Sequence, residues 1–384
     1  MLNSIKICSR CIYDERVPRI SFDEEGVCNY CKISDSIKKQ FGTGDGKGKT
    51  TIAEIVKEIK RKGNGKKYDC VVGVSGGTDS SYVLAKAVEW GLKPLAVHFD
   101  NTWNSSIATQ NIRKITSDLN VDLFTYVVDN IEMDDITRAF FLAGVPELDC
   151  PTDIALAEVL YRAAAKFKVK YILEGHSFVT EGISPMGTNY FDGKYIKDIY
   201  RQFGTVKEMK TFPNMNFFSF LNWTLIKRIK KIRPLWYIYY SKEEARTFLK
   251  QQYSWEYYGG HHLENQLSAF TYSVYKPQKF GVDDRNWSLA AAVRNNLMDR
   301  IEALKIYNEP IKENNELTEY FIKRINLNQQ AYNIVMRGEK KTYKDYKTYK
   351  KRFELLRPLF YLMVKAQLVP LSFYIKYTSK TEGT

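Results

Sequence analysis

The feature that most narrows what this 384-residue chain can fold into is a junction near position 75. The apolar run Val71-Val72-Gly73-Val74 passes directly into Ser75-Gly76-Gly77-Thr78-Asp79-Ser80-Ser81, where a helical pattern begins. A strand that empties into two glycines and a helix start needs room for the backbone and partners for the first helical amides. Phosphate oxygens meet both needs, because successive N–H groups form a nest and the helix N-terminus adds partial positive charge. Ser75, Thr78 and Ser80 add hydroxyl donors. No Gly-Lys-Ser/Thr ending follows, so the segment is not a Walker A loop. The plainer alternative is an ordinary strand-to-helix turn with an Asp or Ser cap.

Around this junction, apolar strands alternate with helical stretches. Strands are expected at 69–74, 94–99, 122–128, 171–174 and 232–238. Helices are expected at 51–62, 80–90, 106–119, from 133 onward, at 152–167 and at 242–251. Strands separated by helices imply right-handed crossovers and a doubly wound parallel sheet covered on both faces. The glycine-rich 41–49 stretch reads as a linker or mobile loop. The 183–220 stretch, rich in Gly, Met and aromatics, reads as a substrate-binding insertion or lid. Beyond 252 the pattern is mostly helical, with 289–304 clearly periodic. The expected units are 1–40, 50–252 with the insertion, and 253–384 with a basic aromatic tail at 330–384.

Four of the six cysteines form two CxxC knuckles, Cys8/Cys11 and Cys28/Cys31, 16 residues apart. That spacing predicts a zinc ribbon in which four thiolates close a tetrahedral, structural site. Two disulfides are the alternative, set aside because residues 1–11 show no apolar export segment and the compartment is read as cytoplasmic and reducing. Cys70 reads as inert core, and Cys150 is ambiguous.

Lysine and arginine exceed aspartate and glutamate by 14, which favours phosphate-bearing partners. Residues 330–384 carry twelve basic against four acidic residues, net +8 of that surplus. With Tyr343, Tyr346 and Tyr349 spaced three apart, the tail reads as a solvated or partner-facing helix, with contact to a membrane surface as a lesser reading. The apolar 355–377 stretch is interrupted by Arg357, Pro358, Lys365, Pro370 and Lys376, so it is not expected to cross a membrane.

The Ser75–Ser80 segment resembles the SGGxDS signature of the PP-loop (N-type) ATP pyrophosphatases, of adenine nucleotide alpha hydrolase-like fold. The resemblance implies that ATP with Mg²⁺ is cleaved between the α- and β-phosphates and that AMP is attached to a substrate oxygen. It places Ser75, Gly76, Gly77, Thr78, Asp79 and Ser80 at the phosphates, with Asp79 near the magnesium. It also places Asp100, within His98-Phe99-Asp100-Asn101, and Gly175 and His176 around the same nucleotide. With the N-terminal ribbon and Tyr258-Gly259-Gly260-His261-His262-Leu263-Glu264, the chain resembles the N-acetyl sugar amidotransferases of bacterial surface-glycan biosynthesis. That likeness implies conversion of an N-acetyl group, on a nucleotide-linked or free sugar, to an acetamidino group. Ammonia would come from a partner glutaminase with a cyclase-like subunit. His262 and Glu264 are then candidates to take a proton from the attacking ammonia, His261 being the alternative histidine, and Lys279 is a candidate to offset charge on phosphorus.

A tRNA-modifying enzyme of thiolation or lysidine type is the rival reading, with the basic tail tracking phosphates. Nucleic acid takes second place, since a reactive sulfur-carrying cysteine is not legible. A zinc-ribbon binding module that has lost activity is the third reading, opposed by the intact loop.

Overall fold

A computed structural model describes residues 5–183, 189–260, 263–311 and 314–379. The chain runs α1 (Asn29–Phe41), α2 (Gly46–Gly63), β1 (Cys70–Gly73), α3 (Thr78–Glu89), β2 (Pro94–Asp100), α4 (Ser106–Asp118), β3 (Leu123–Val127), α5 (Asn130–Leu142), α6 (Cys150–Lys166) and β4 (Tyr171–Leu173). It continues through α7 (Gly193–Phe203), α8 (Phe217–Leu221), β5 (Lys230–Ile232) and α9 (Lys242–Tyr253). The rest is helical: α10 (Gln266–Phe270), α11 (Arg285–Arg294), α12 (Arg300–Asn308), α13 (Asn315–Arg324), α14 (Gln329–Arg337), α15 (Lys350–Leu355), α16 (Arg357–Lys365) and α17 (Leu371–Thr378).

The five strands form one parallel sheet in the order β3-β2-β1-β4-β5. Alternation along β1 explains why both faces are covered. Val71 joins Leu95, Val97 and Ile172 in one apolar layer. Cys70 and Val72 join Ala96, Tyr171 and Leu173 in the other. Residues on either side of position 252 share the first layer, since Phe270, Tyr275, Phe321 and Tyr332 pack into it with Val71. The stacked rings of Phe270 and Phe321, 3.6 Å apart, fasten α10 to α13 within that layer.

Several expectations need correction. Only residues 42–45 separate α1 from α2, so most of the anticipated 41–49 loop is helix. Asp45 caps α2 by accepting from the Gly48 amide, and a methyl on Gly48 would lie 2.0 Å from the Gly42 carbonyl oxygen, so that glycine serves close packing. Within 183–220, where 184–188 lie outside the described residues, 193–203 form the buried helix α7, while Tyr190, Phe191, Met215 and Phe220 line the cavity described below. Tyr195, Ile196, Ile199 and Tyr200 face the core, and because tyrosines carry half of this face it reads as merely aromatic-rich. The last strand ends at Ile232, and Pro234 starts a 3₁₀ turn through Trp236 instead of extending the sheet. The 289–304 periodicity breaks into α11 and α12, with Asn296 at φ 57° between them.

The tail is not a solvated helix. Residues 343–345 form a 3₁₀ turn closed by a capping box between Thr342 and Asp345, and Tyr343 and Tyr346 bury themselves in the main core. The Tyr346 hydroxyl donates to the Ala143 carbonyl at 2.8 Å, while Lys344 and Lys347 stay exposed. Helices α15, α16 and α17 close on one another around Phe353, Phe360 and Met363. Among the described residues no helix is long and apolar enough to cross a membrane.

Candidate functional site

In this strand order, β1 and β4 are neighbours whose connections leave in opposite directions, and open parallel sheets bind ligands at the carboxyl ends of such a pair. The Ser75 loop follows β1 and Glu174-Gly175-His176 follows β4. Two glycines fix how closely these loops lie. Gly76 adopts φ 80°, and a methyl there would sit 2.2 Å from the Ala108 carbonyl oxygen. A methyl on Gly175 would lie 2.6 Å from the Ser80 amide nitrogen. The loop is also held from behind, because the Gly76 carbonyl accepts from Trp255 Nε1 (3.1 Å) and Asn111 Nδ2 (3.3 Å). Inside it, the Gly77 amide donates to Ser75 Oγ at 3.3 Å, and Ser75 Oγ and Ser80 Oγ are 3.2 Å apart.

A cavity of roughly 1350 Å³ opens over this point, lined by Ser75, Gly77, Thr78, Asp79, Ser80, Gly175, His176 and Glu264. Gly76 backs the loop rather than facing the cavity. Asp100 does not line it; its Oδ1 accepts from the Thr102 amide (2.8 Å) and Asn104 Nδ2 (3.1 Å), which turns the strand end. His98, Asn101 and Asn104 face the cavity from that strand end instead. His98 Nδ1 lies 2.8 Å from the Val74 carbonyl oxygen, and burial lowers its pKa, so a neutral ring donates there while Nε2 accepts from Asn104.

Charges alternate around the loop. Asp79 lies 3.2 Å from Lys242 Nζ and also accepts from the Tyr240 hydroxyl. Burial opposes its charge, yet Lys242 and these hydrogen bonds hold its pKa below the ordinary carboxyl value. Burial likewise works against the Lys242 ammonium, but Asp79 and Glu181 raise its pKa above normal. Glu174 is desolvated, and Lys231 at 2.6 Å and Arg233 at 3.4 Å nonetheless bring its carboxyl down to about 2. His176 accepts from Trp236 Nε1 on Nδ1 at 3.1 Å, and burial followed by Arg233 lowers its pKa to about 3. It is therefore a neutral N–H donor at the cavity wall. Sequence reading missed Lys242 and Arg233. Lys242 carries no signal beyond its place in the first turn of an ordinary helix.

Lys279 is a correction. Its Nζ donates to the carbonyls of Val335 (2.6 Å), Gly338 (3.1 Å) and Glu339 (3.2 Å), so it caps the C-terminus of α14 and does not line this cavity. Arg285, beside it in sequence, pairs with Asp283 and caps residues 306–309. His261 and His262 lie outside the described residues. Glu264 reaches the loop: a methyl on Gly77 would sit 3.3 Å from Glu264 Oε1.

The four ribbon cysteines are buried, with ligand atoms all within 4.8 Å of one another. Sulfur separations of 3.9 Å (Cys8–Cys31), 3.8 Å (Cys11–Cys28) and 3.6 Å (Cys28–Cys31) are near the edge of about 3.8 Å expected for four thiolates at zinc–sulfur distance. None is disulfide-bonded. Arg294 donates to Cys31 Sγ and Cys11 Sγ, both at 3.4 Å, and Arg300 donates to the Cys11 and Cys8 carbonyls. Cations from α11 and α12 thus neutralise a cluster whose thiolates would leave surplus negative charge around a divalent ion.

Comparison with known proteins adds a domain assignment. Residues 264–359 match the family model "LPS biosynthesis protein WbpG-like, C-terminal domain". An uncharacterized protein of Methanocaldococcus jannaschii is 28% identical over 171 residues, 44% of this chain, and the chain spans 58% of that relative's length. The solved structure of NMN synthetase from Francisella tularensis aligns with 58% of this chain and 92% of its own at a TM-score of 0.27 and 14% identity, a likeness too distant to bear on chemistry. The matched segment supplies Glu264 and Tyr343 to the cavity that holds the Ser75–Ser80 loop.

Proposed function

We propose that the protein is an ATP-dependent amidotransferase of surface-glycan biosynthesis that converts the N-acetyl group of a nucleotide-linked or free sugar to an acetamidino group. One observation carries this reading: the Ser75–Ser80 loop and the segment similar to the WbpG-like C-terminal domain wall the same cavity. An amide carbon resists ammonia because oxide is a poor leaving group. Attack of the amide oxygen on the α-phosphorus of ATP releases pyrophosphate and leaves an O-adenylated imidate. Ammonia adds to its carbon, AMP departs with the former amide oxygen, and one proton is lost to a base.

The chain's residues suit these steps. Amides from Gly77 onward and the hydroxyls of Ser75 and Ser80 hold the pyrophosphate oxygens. Lys242, fixed by Asp79, stands where it offsets charge as the α–β bond breaks. Asp79, whose oxygens engage Tyr240 and Lys242, is the carboxylate that would hold a magnesium ion at this loop, and the ion would offset phosphate charge there. Glu264, or a neighbouring histidine, takes the proton from ammonia. The four-cysteine cluster would hold zinc in a purely structural role. Ammonia would come from a partner glutaminase with a cyclase-like subunit, in the cytoplasm. Sulfur transfer to tRNA is disfavoured because Cys70 and Cys150 are both buried, with thiols pushed well above normal by burial.

The test is mass spectrometry of products from UDP- and CMP-linked N-acetyl sugars incubated with ATP and ammonium. Acetamidino product with stoichiometric AMP is expected. The catalytic assignment fails if His262→Ala and Glu264→Gln both form product at the wild-type rate. Pyrophosphate release stimulated by tRNA rather than by sugar would favour the rival reading.

A further inference from the structure

Helix α16 is apolar on both sides. Leu359, Phe360 and Met363 turn inward onto the cluster that α15, α16 and α17 share with Phe217 and Phe220, so the helix already has its buried face. Tyr361 and Leu362 nevertheless point outward, with Leu362 61% exposed, and Leu355, which ends α15 just before, is 80% exposed. The outward side of α17 continues this surface. Tyr374 packs its ring 6.0 Å from that of Tyr361 and accepts from Arg357 Nε at 2.9 Å, while Leu371 and Ile375, exposed themselves, share its side of α17 by helical spacing. One exposed leucine needs no explanation, but a face of such residues across two packed helices marks a contact surface.

The charges around this face are of one sign. Lys351 and Arg352 lie one turn before Leu355, Arg357 and Lys365 bracket α16, and all four are exposed. Among residues 350–379 the single carboxylate is Glu354, which faces Lys350 Nζ at 3.5 Å. Lys365 Nζ lies 4.8 Å from the centre of the Tyr361 ring and the Arg357 guanidinium 5.5 Å from that of Tyr374, so the cations border the apolar residues directly. Aliphatic and tyrosine side chains edged by lysine and arginine complement an anionic bilayer, where acyl chains lie beneath phosphates. A second copy fits less well, because a twofold contact would set these cations against one another.

We propose that the exposed face of α16 and α17, with Leu355 at its edge, is a docking surface for an anionic lipid bilayer. At nine residues α16 is too short to cross a bilayer, so the protein lies on it. Leu355 and Leu362 reach the acyl boundary, and Lys351, Arg352, Arg357 and Lys365 meet the headgroup phosphates. Leu371 and Ile375 also line the cavity, so docking sets that wall beside the headgroup layer. This surface does not depend on the reaction proposed above.

The experiment floats the full-length protein with vesicles of phosphatidylcholine alone, or of phosphatidylcholine with about one-third phosphatidylglycerol. Wild type is expected to bind the anionic vesicles about 10-fold more tightly than the neutral ones, and less tightly in high salt. Leu355→Ser with Leu362→Ser is expected to weaken that binding about 10-fold, and Lys351→Gln with Lys365→Gln to do the same. Because these four side chains are exposed, the melting point and the ATP-dependent pyrophosphate release measured without vesicles are expected to match wild type, which separates lost docking from lost folding. No binding by wild type, or binding by the paired serine variant within about 2-fold of wild type, overturns the surface. Without vesicle binding, a concentration-dependent dimer that the serine pair abolishes, or salt-sensitive tRNA binding, assigns the face to a second copy or to nucleic acid and overturns it equally. If docking is seen but no acetamidino product forms with any sugar, the reaction fails and the surface stands.

Discussion

The two ends of the cavity are built by different means. The loop end is made of backbone: two glycines that admit no side chain, amides at the start of α3, and a sheet edge where β1 and β4 part. The tail end is made of long side chains on short helices, with tyrosines and lysines drawn from residues 190, 343–350 and 376–377. Rigid backbone geometry suits a ligand group of fixed shape, and side chains suit a ligand group whose shape can vary. Substitutions should therefore act steeply and on chemistry at the first end, and on stability or sugar affinity at the second.

Gly76→Ala breaks the loop end most severely, since φ 80° and an oxygen at 2.2 Å leave no place for a methyl. ATP-dependent pyrophosphate release is expected to fall by about 1000-fold or more, and a variant with near wild-type turnover would show that the loop does not hold the phosphates. Lys242→Met should follow, lowering kcat by about 100-fold with little change in the KM for the sugar. Steady-state kinetics at saturating ATP reads that split directly.

At the other end, Glu147 tests the cost of burying polar groups under the tail. Burial pushes its carboxyl up to about 7, with Tyr195 donating to one oxygen at 3.1 Å. The folded pKa is above the unfolded one, so the protonated group's contribution is intact below about pH 4.5 and is lost as pH rises through 7. Glu147→Gln should therefore raise stability by about 2–3 kcal/mol at pH 8 and by almost nothing at pH 4.5, as measured by urea unfolding at both pH values. Lys279→Met should cost about 1–3 kcal/mol through three orphaned carbonyls while kcat stays within about 3-fold; a large kcat loss with an unchanged melting point would return Lys279 to the chemistry. The smallest effect is expected for Arg294→Met. It should weaken metal retention by about 10-fold in competition with a chelator while leaving nucleotide binding intact.

The same contrast explains what was legible in the sequence. A strand, two glycines and a helix cap are local facts, so the loop, the parallel sheet and the cysteine knuckles could be read residue by residue. The tail could not, because the same lysine-tyrosine pattern serves a solvated helix or a buried turn, and only the Ala143 carbonyl and the aromatic core decide between them. Lys279 misled for a related reason: a lysine in the sequence does not reveal whether it faces phosphate or the end of a distant helix. Lys242 was invisible because its partner, Asp79, is more than 160 positions away, and nothing local marks their meeting.

The most direct test of the central claim follows the oxygen. With a sugar acceptor carrying ¹⁸O in its N-acetyl carbonyl, the account predicts one ¹⁸O atom in the AMP released and none in pyrophosphate. Unlabelled AMP accompanying acetamidino product would contradict activation of the amide by adenylation.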